Sequence, residues 1–461
     1  MGLRINSDGH GVLSSIRSLT ENLSSLQKTQ SKIASGLEIQ KASDNPAGLV
    51  ISELFLAQIS GSEQALQNTQ YATNFINTAE AGLSTVSDQL VDLQGLAVQA
   101  SNSLLPDEAL QAIQFQADQI VSSIDRIASS TSFGNTPLLN GQQAFTTSGL
   151  SANISNVNVQ QATATDNAPL TVSVQVTQSA TQAQALGTLT GGGGAASFSV
   201  GGTLGTEAIN LQAGATVAQI ESAINSVTDS TGVYASGGEV FSQNVGSNSF
   251  VNVDFLSGTV NGLTEGQTQG TDVQGTINGA AASGSGNDLS TAGPTFTGTV
   301  TLSSGTAPGS YTFDVTGGGA TFQVGGGLLP SDQIQLGIDS VDSSVLGQTG
   351  GLGTLNSLIS GGANSLTANP QNALSIVQSS LSEVNSQQAS LGAVVSNQLQ
   401  PSINSLSVAV ENIAASQSTI RDTDIASALS EQVRNQILTQ SSISALQQHQ
   451  LHGESVLKLL Q

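Results

Sequence analysis

The chain has 461 residues, a formal charge of −23 and no Cys, yet only 9% of its residues are charged. Nine Lys and Arg are too few to neutralise a run of phosphates, which excludes nucleic acid and anionic membrane surfaces as partners, and the lack of Cys excludes disulfides, thiol catalysis and Cys-ligated metals. Trp is absent and aromatic residues make up 3%, so any core is built from Leu, Ile, Val and Ala.

The basic residues divide the chain. Arg4, Arg17, Lys28, Lys32, Lys41 and Arg126 precede the middle, Arg421, Arg434 and Lys458 follow it, and none lies between Arg126 and Arg421. The N-terminal stretch has no apolar run of signal-peptide length, and no segment is apolar enough to span a membrane. Export without a cleaved signal is therefore the expectation if the protein leaves the cell.

Ser14 to about Lys41 predicts a helix, with Leu19, Leu23, Leu26, Gln30, Ile33 and Leu37 forming a two-position heptad seam. Ala42 to Gly48 breaks it with turn residues and Pro46. A second helix runs from about Leu49 to about Ser103. Its latter half repeats Ile76, Ala79, Leu83, Val86, Leu90, Leu93, Ala97 and Ala100 at alternating spacings of 3 and 4. Pro106 and Asp107 open a third helix, with Leu110, Ile113, Ala117, Ile120, Ile124 and Ile127 on one face.

From about Gly141 to Gly362 the helical pattern gives way to Gly, Ser and Thr with short apolar alternations. Leu170–Val176 and Thr297–Leu302 alternate as half-buried strands do. Ala208 to Asn225 reads as a strand, a turn and a short amphipathic helix. Helix returns after Asn369-Pro370, where Leu374, Val377, Leu381, Val384, Gln388, Leu391, Val395 and Gln398 repeat the heptad. Pro401 is expected to kink this helix or start a new one. Ile425, Leu429, Val433, Ile437, Ile443, Leu446, Val456, Leu457 and Leu460 carry the apolar stripe to the end. The terminal segments are one-striped, and such helices gain their stability from packing against each other or another copy. The fold class is thus mixed α and β. A terminal long-helix coiled-coil or bundle body, its N- and C-terminal segments packed together, carries central β-rich outer domains.

Catalytic signals are absent, and no enzyme activity or cofactor is expected. His449 and His452 lie three apart but lack the Glu of a metalloprotease helix, Gly191–Gly194 lacks the Lys of a phosphate loop, and Asp422 and Asp424 fit as caps of the following helix.

At this point the residues resemble a known family, bacterial flagellin. The run SSLQKTQSKIASGLEIQKASDNPAGLVIS (24–52), LAVQASNS (96–103) and SIDRIASSTSFGNTPLLNG (123–141) resemble its N-terminal region. LGAVVSNQL (391–399), ENIAASQSTIRDTDIA (411–426) and ESVLKLL (454–460) resemble its C-terminal region in order. AINLQAGATVAQIESAIN resembles a small module of some flagellins and hook proteins, and residues 321–347 resemble a hairpin region.

The resemblance implies a secreted structural subunit that polymerises into the swimming filament after unfolded export through the flagellar type III apparatus. It implies residues 1–43 as an N-terminal inner-core helix and 44–142 as half of a helical rod domain. Residues 143–319 become variable outer domains, 320–415 the second rod half, and 416–461 the C-terminal inner-core helix. Other copies, filament cap and hook-junction proteins, and an export chaperone on Glu411–Gln461 are the implied partners. The implied polymer or coiled-coil interface comprises Leu19, Leu23, Leu26, Ile33, Leu37, Ile425, Leu429, Val433, Ile437, Ile443, Leu446, Val456, Leu457 and Leu460. The implied rod core comprises Ile76, Leu83, Val86, Leu90, Leu93, Ile113, Ile120, Ile124, Leu374, Val377, Leu381, Val384 and Leu391. Where flagellins detected by the animal innate receptor carry Arg and Glu, this chain has Asp92, Gln94 and Gly95 before Leu96, and a weakened complementary interface is expected. A hook–filament junction protein is the nearest alternative, and a secreted adhesin is a more distant one.

Overall fold

The structure is a computed structural model that describes residues 6–102, 104–163, 169–191, 193–293, 295–327, 332–348 and 351–459. Two compact units emerge. One comprises Met1–Asn68, Val324–Leu328 and Pro401–Gln461; the other comprises Thr69–Gln323 and Leu329–Gln400.

The first unit is helical. Helix α1 spans Asn6–Ser35, α2 spans Pro46–Ala100 and begins here, α7 spans Gln400–Arg421 and α8 spans Ile425–Leu459. Helix α1 starts earlier and stops earlier than its heptads predict. Gly36, at φ 73°, ends it in the left-handed region that a glycine adopts without strain, and its N–H donates to Lys32 O at 2.8 Å. Leu37 therefore lies beyond the helix, in a β-bridge opposite Asp422.

In the second unit, α2 continues. All eight positions of its predicted repeat, Ile76, Ala79, Leu83, Val86, Leu90, Leu93, Ala97 and Ala100, are buried. Helix α3 (Asp107–Ser130) buries Ile113, Ala117, Val121, Ile124 and Ala128, a face rotated so that Ile120 and Ile127 are half-buried. The two-residue strands β1 (Ser132–Phe133) and β2 (Thr136–Pro137) pair after it. Helix α6 (Pro370–Val394) buries Ala373, Ile376, Val377, Ser380, Val384 and Leu391, while Leu374 and Leu381 sit half-buried beside that face. It meets α2 where Ser87 Oγ donates to Asn385 Oδ1 at 3.4 Å.

A π turn, Val395–Leu399, joins α6 to α7, with Gln400 N–H reaching back to Val395 O. The kink or fresh start expected at Pro401 is instead a one-residue widening just before it. Pro401 has no N–H to donate four residues back, and the wider turn moves the buried position to Leu399 from the half-buried Gln398.

The middle is an antiparallel sheet with an inserted module. Strands β3 (Phe145–Ser148), β4 (Ile154–Ala162) and β5 (Leu170–Gln178) precede the insertion. After it come β13 (Gln274–Ile277), β14 (Ala280–Ser285), β15 (Asp288–Ala292), β16 (Phe296–Leu302), β17 (Gly309–Gly318), β18 (Ala320–Gln323) and β19 (Gln333–Leu336). The order is β18-β19-β4-β16-β15-β14-β13-β5-β17-β3. The chain after β19 also reaches the other side of the sheet: Gly337 N–H donates to Gln160 O of the neighbouring β4, and Ile338 N–H to Gln143 O just before β3, both at 2.9 Å. Inward Val159, Val172, Val174, Leu289, Phe296, Val300, Phe313 and Val315 form its core. Asn278, at φ 50°, and Gly279 make the tight turn from β13 to β14, as their residue types dictate. The β18–β19 hairpin, assigned by resemblance to the rod segment, continues this sheet through the pairing of Leu336 with Gln161. Its Phe322 also stacks edge-on against Phe75 of α2 at 5.2 Å between ring centroids.

The inserted module has strands β6 (Gln182–Gln184), β7 (Ala196–Gly201), β8 (Thr206–Leu211), β9 (Val233–Ser236), β10 (Glu239–Val245), β11 (Phe250–Ser257) and β12 (Gly266–Gln269). Helices α4 (Val217–Asn225) and α5 (Thr228–Thr231) lie between β8 and β9. Thr216 and Gln219 form a reciprocal capping box at the start of α4. Its buried Ile220 and Ile224 join Phe198, Val200, Val251 and Val253 in a separate core.

Candidate assembly interface

The turn sequence Asp44-Asn45-Pro46-Ala47-Gly48 builds the start of α2. The Asp44 carboxylate accepts Gln40 N–H at 3.3 Å and Lys41 N–H at 3.0 Å, and these donors hold its pKa below the usual range. Asn45 Oδ1 caps the helix by accepting Gly48 N–H at 2.9 Å, and Pro46 occupies the first helical turn, where its missing N–H costs nothing. Gly48 leaves room for its neighbours: a Cβ there would come within 2.6 Å of Ile39 Cδ1 and 2.8 Å of Asn45 Nδ2, and both side chains would have to shift.

The link between α7 and α8 meets the chain on either side of this turn. Glu38 N–H donates to Arg421 O at 2.7 Å and Thr423 N–H to Gly36 O at 2.9 Å. Arg421 reaches Glu53 at 3.0 Å. Asp424 caps α8 by accepting Ala426 N–H at 3.0 Å and Ser427 N–H at 3.3 Å, as its sequence context indicates; Asp422 instead accepts the Ser418 hydroxyl at 2.6 Å. The segments Gly36–Glu38 and Arg421–Thr423 thus form one junction from which α1 and α8 leave side by side.

The seam between α1 and α8 mixes polar and apolar groups. Asn22 Nδ2 donates to Ser442 Oγ at 3.1 Å, and Asn435 Nδ2 to Thr29 Oγ1 at 3.4 Å. The seven-residue steps run in opposite directions, so the helices are antiparallel. On α1 the inward positions are Leu19, Asn22, Leu26, Thr29 and Ile33, so the seam uses Asn22 and Thr29 where the heptad reading has Leu23 and Gln30. On α8 they are Ala428, Gln432, Asn435, Thr439, Ser442 and Leu446.

Apart from Leu446, which is in the seam, the described apolar stripe of α8 lies outside it. Ile425, Leu429, Val433, Ile437 and Ile443 are 43–62% exposed, and Leu23 of α1 is 43% exposed. Leu460 lies outside the described residues, and the side chains of Val456 and Leu457 are not described. Helical pattern alone missed the polar positions of the seam, although Asn22 and Thr29, seven apart, and Asn435 and Ser442, seven apart, were readable signals.

On α2, Asp92 and Gly95 are exposed and Gln94 and Leu96 half-buried. Among the described residues no helix is long and apolar enough to cross a membrane, and no group of three His, Asp or Glu has metal-site geometry.

Residues 12–144 match the family described as the bacterial flagellin N-terminal helical region, 374–460 the bacterial flagellin C-terminal helical region, and 197–239 the flagellin hook IN motif. The flagellar filament 41 kDa core protein of Borreliella burgdorferi is 39% identical over 123 residues, covering 27% of this chain and 37% of that one. The flagellin of Bacillus subtilis is 38% identical over 143 residues, covering 30% of this chain and 46% of that one. The chain spans less than half the length of these relatives. Among solved structures, flagellar hook associated protein-3 from Legionella pneumophila is 15% identical, covers 80% of this chain and 98% of its own, and has a TM-score of 0.33. FliC from Burkholderia pseudomallei is 15% identical, covers 72% and 99%, and has a TM-score of 0.25.

Proposed function

Because this chain belongs to the bacterial flagellin family, we propose that it is the structural subunit of an extracellular flagellar filament, exported unfolded and assembled from many copies of itself. The observation that carries this reading is the exposed stripe Ile425, Leu429, Val433 and Ile437 on a helix whose own partner covers a different, mostly polar side. A contiguous apolar patch of this kind is costly in a monomer and marks a site of association. Burying the exposed half of each such side chain against another copy contributes on the order of 1 kcal/mol. Leu13 and Leu23 of α1 are exposed as well and extend the face.

On this reading the α1–α8 seam holds one subunit in register, and the outward stripes join subunits. The buried α2, α3 and α6 positions form the rod core. The export chaperone would cover the same α8 stripe before assembly, and cap and hook-junction proteins would meet the filament ends. The anionic Asp92, the neutral Gln94 and the side-chain-free Gly95 make the subunit a weak agonist of the innate flagellin receptor.

The test is seeded growth of the purified full-length chain in salt, observed by electron microscopy, beside a Leu429→Asp/Val433→Asp double variant. Long filaments from the parent and none from the variant, with equal helicity in both, are expected. Filaments from the variant would remove the stripe from the interface. A parent that stays monomeric on competent seeds would point to a junction protein or minor subunit. The same monomer, applied to receptor-bearing cells, is expected to give a weak response, and a strong one would remove that part of the reading.

A further inference from the structure

Residues 337–348 run from the sheet to the helices of the second unit as a strap. Val341 N–H donates to Leu139 O at 3.0 Å, Ser343 N–H to Asp125 Oδ1 at 2.8 Å, and Gly347 N–H to Glu383 Oε2 at 3.0 Å. Gln387 Nε2 of α6 donates to the Asp339 carbonyl at 3.2 Å.

Beside the strap lies a cavity of about 430 Å³, lined among others by Asn158 of β4, Asp288 of β15, Thr301 of β16, Asp339, and Glu383 and Gln387 of α6. Three carboxyl groups face it, and no cation does. Every residue lining it falls between Arg126 and Arg421, the interval without a single Lys, Arg or His. The groups facing Asp339 are therefore Glu383 from α6 and Asp288 from β15, with uncharged Asn158 and Thr301. Asn158 Nδ2 donates to Asp339 Oδ2, while Asn158 Oδ1 and Asp288 Oδ1 are buried without a hydrogen-bond partner. Once Asp339 is protonated, its carboxyl becomes a donor, and the Asn158 amide can turn over so that the orphan Oδ1 accepts that proton.

We propose that this cavity is a proton-operated latch: a neutral Asp339 holds the strap between the sheet and α6, and its ionisation loosens the strap. Burial first, and the Glu383 carboxylate second, push the Asp339 pKa up to about 6 from an ordinary 3.8. The sign follows from linkage. A raised pKa in the folded state contributes stability that is complete below the unfolded value and lost as pH rises through the folded one. The strap is thus tightest in acid and loosens toward neutrality.

Hydrogen exchange of the full-length monomer, read by mass spectrometry over residues 337–347 in chelator-containing buffer, tests this directly. After correction for intrinsic exchange rates, protection is expected to fall on the order of a hundredfold between about pH 4 and about pH 7.5. Asp339→Asn is expected to abolish that fall. Equal protection at the two pH values in the parent chain, or an unchanged fall in Asp339→Asn, overturns the proposal. Should Asp339→Asn fail to fold, Glu383→Gln serves instead, since its amide oxygen still accepts Gly347 N–H. Removing the neighbouring charge is expected to move the midpoint of the fall to lower pH, and an unmoved midpoint overturns the proposal.

Discussion

Asp118 and Asp125 stand one heptad apart on α3, and each takes both the N–H and the hydroxyl of a serine. Asp118 accepts from Ser360, with N–H to Oδ1 at 2.9 Å, and Asp125 from Ser343 at 2.8 and 3.0 Å. Asp272 does the same for Ser247 and adds Gly286 N–H; the Ser247 hydroxyl first, then Gly286, hold its pKa below the usual range. Its contribution is present above the unfolded value and lost as pH falls through the folded one, opposite in sign to that of Asp339. A chain this poor in cations uses carboxylates as acceptors for backbone N–H groups in loops. Asp125→Ala leaves Ser343 without its acceptors and is expected to cost about 1–2 kcal/mol, measured as a lowered urea midpoint. Asp125→Asn, which keeps one acceptor, should lose less; equal midpoints for all three chains would count against the role.

At the scale of elements, the α1–α8 pair trades stability for register. Polar groups in a heptad seam weaken the pair but penalise every shifted alignment that separates them. Replacing Thr29 and Asn435 together by Leu removes both partners at once, so neither is left orphaned. The double variant is expected to raise the thermal unfolding midpoint of the monomer's helices, through a stabilisation of about 1 kcal/mol or more. A lowered midpoint by circular dichroism would show that the polar pair, not the leucines around it, holds the helices together. The α2 repeat needs no such device. Its eight buried positions are all apolar, and its heptad spacing is legible because every turn presents the same face to one body.

For the whole molecule, charge divides as the two units do. The first unit carries eight basic against eleven acidic residues, a net of −3; the second carries Arg126 alone against 21, a net of −20. The stripe proposed to join subunits thus belongs to the nearly neutral unit, and repulsion resides in the other. Filament growth is expected to slow several-fold between about 150 mM and about 10 mM salt, where the screening length grows from about 8 Å to about 30 Å. Light-scattering rates that ignore salt would sink that expectation.

Local pattern alone determined the positions of the long helices, the α2 core face, the turn at Asp44–Gly48, the strand–helix unit around Thr216 and the partition of charge. Each is set by residues within a few positions of one another, or by composition. Tertiary structure decided the rest. Adjacent positions on a helix differ by about 100°, so Leu23 and Asn22 are equally plausible seam residues until a partner is present, and α8 chose Asn22. The sheet pairs β4 with β16, and Ile338 reaches Gln143, contacts between residues more than 130 positions apart that no window of sequence contains. Asp339 looks like any loop aspartate in the sequence, and only the packing of β4, β15 and α6 around it removes its water and raises its proton affinity.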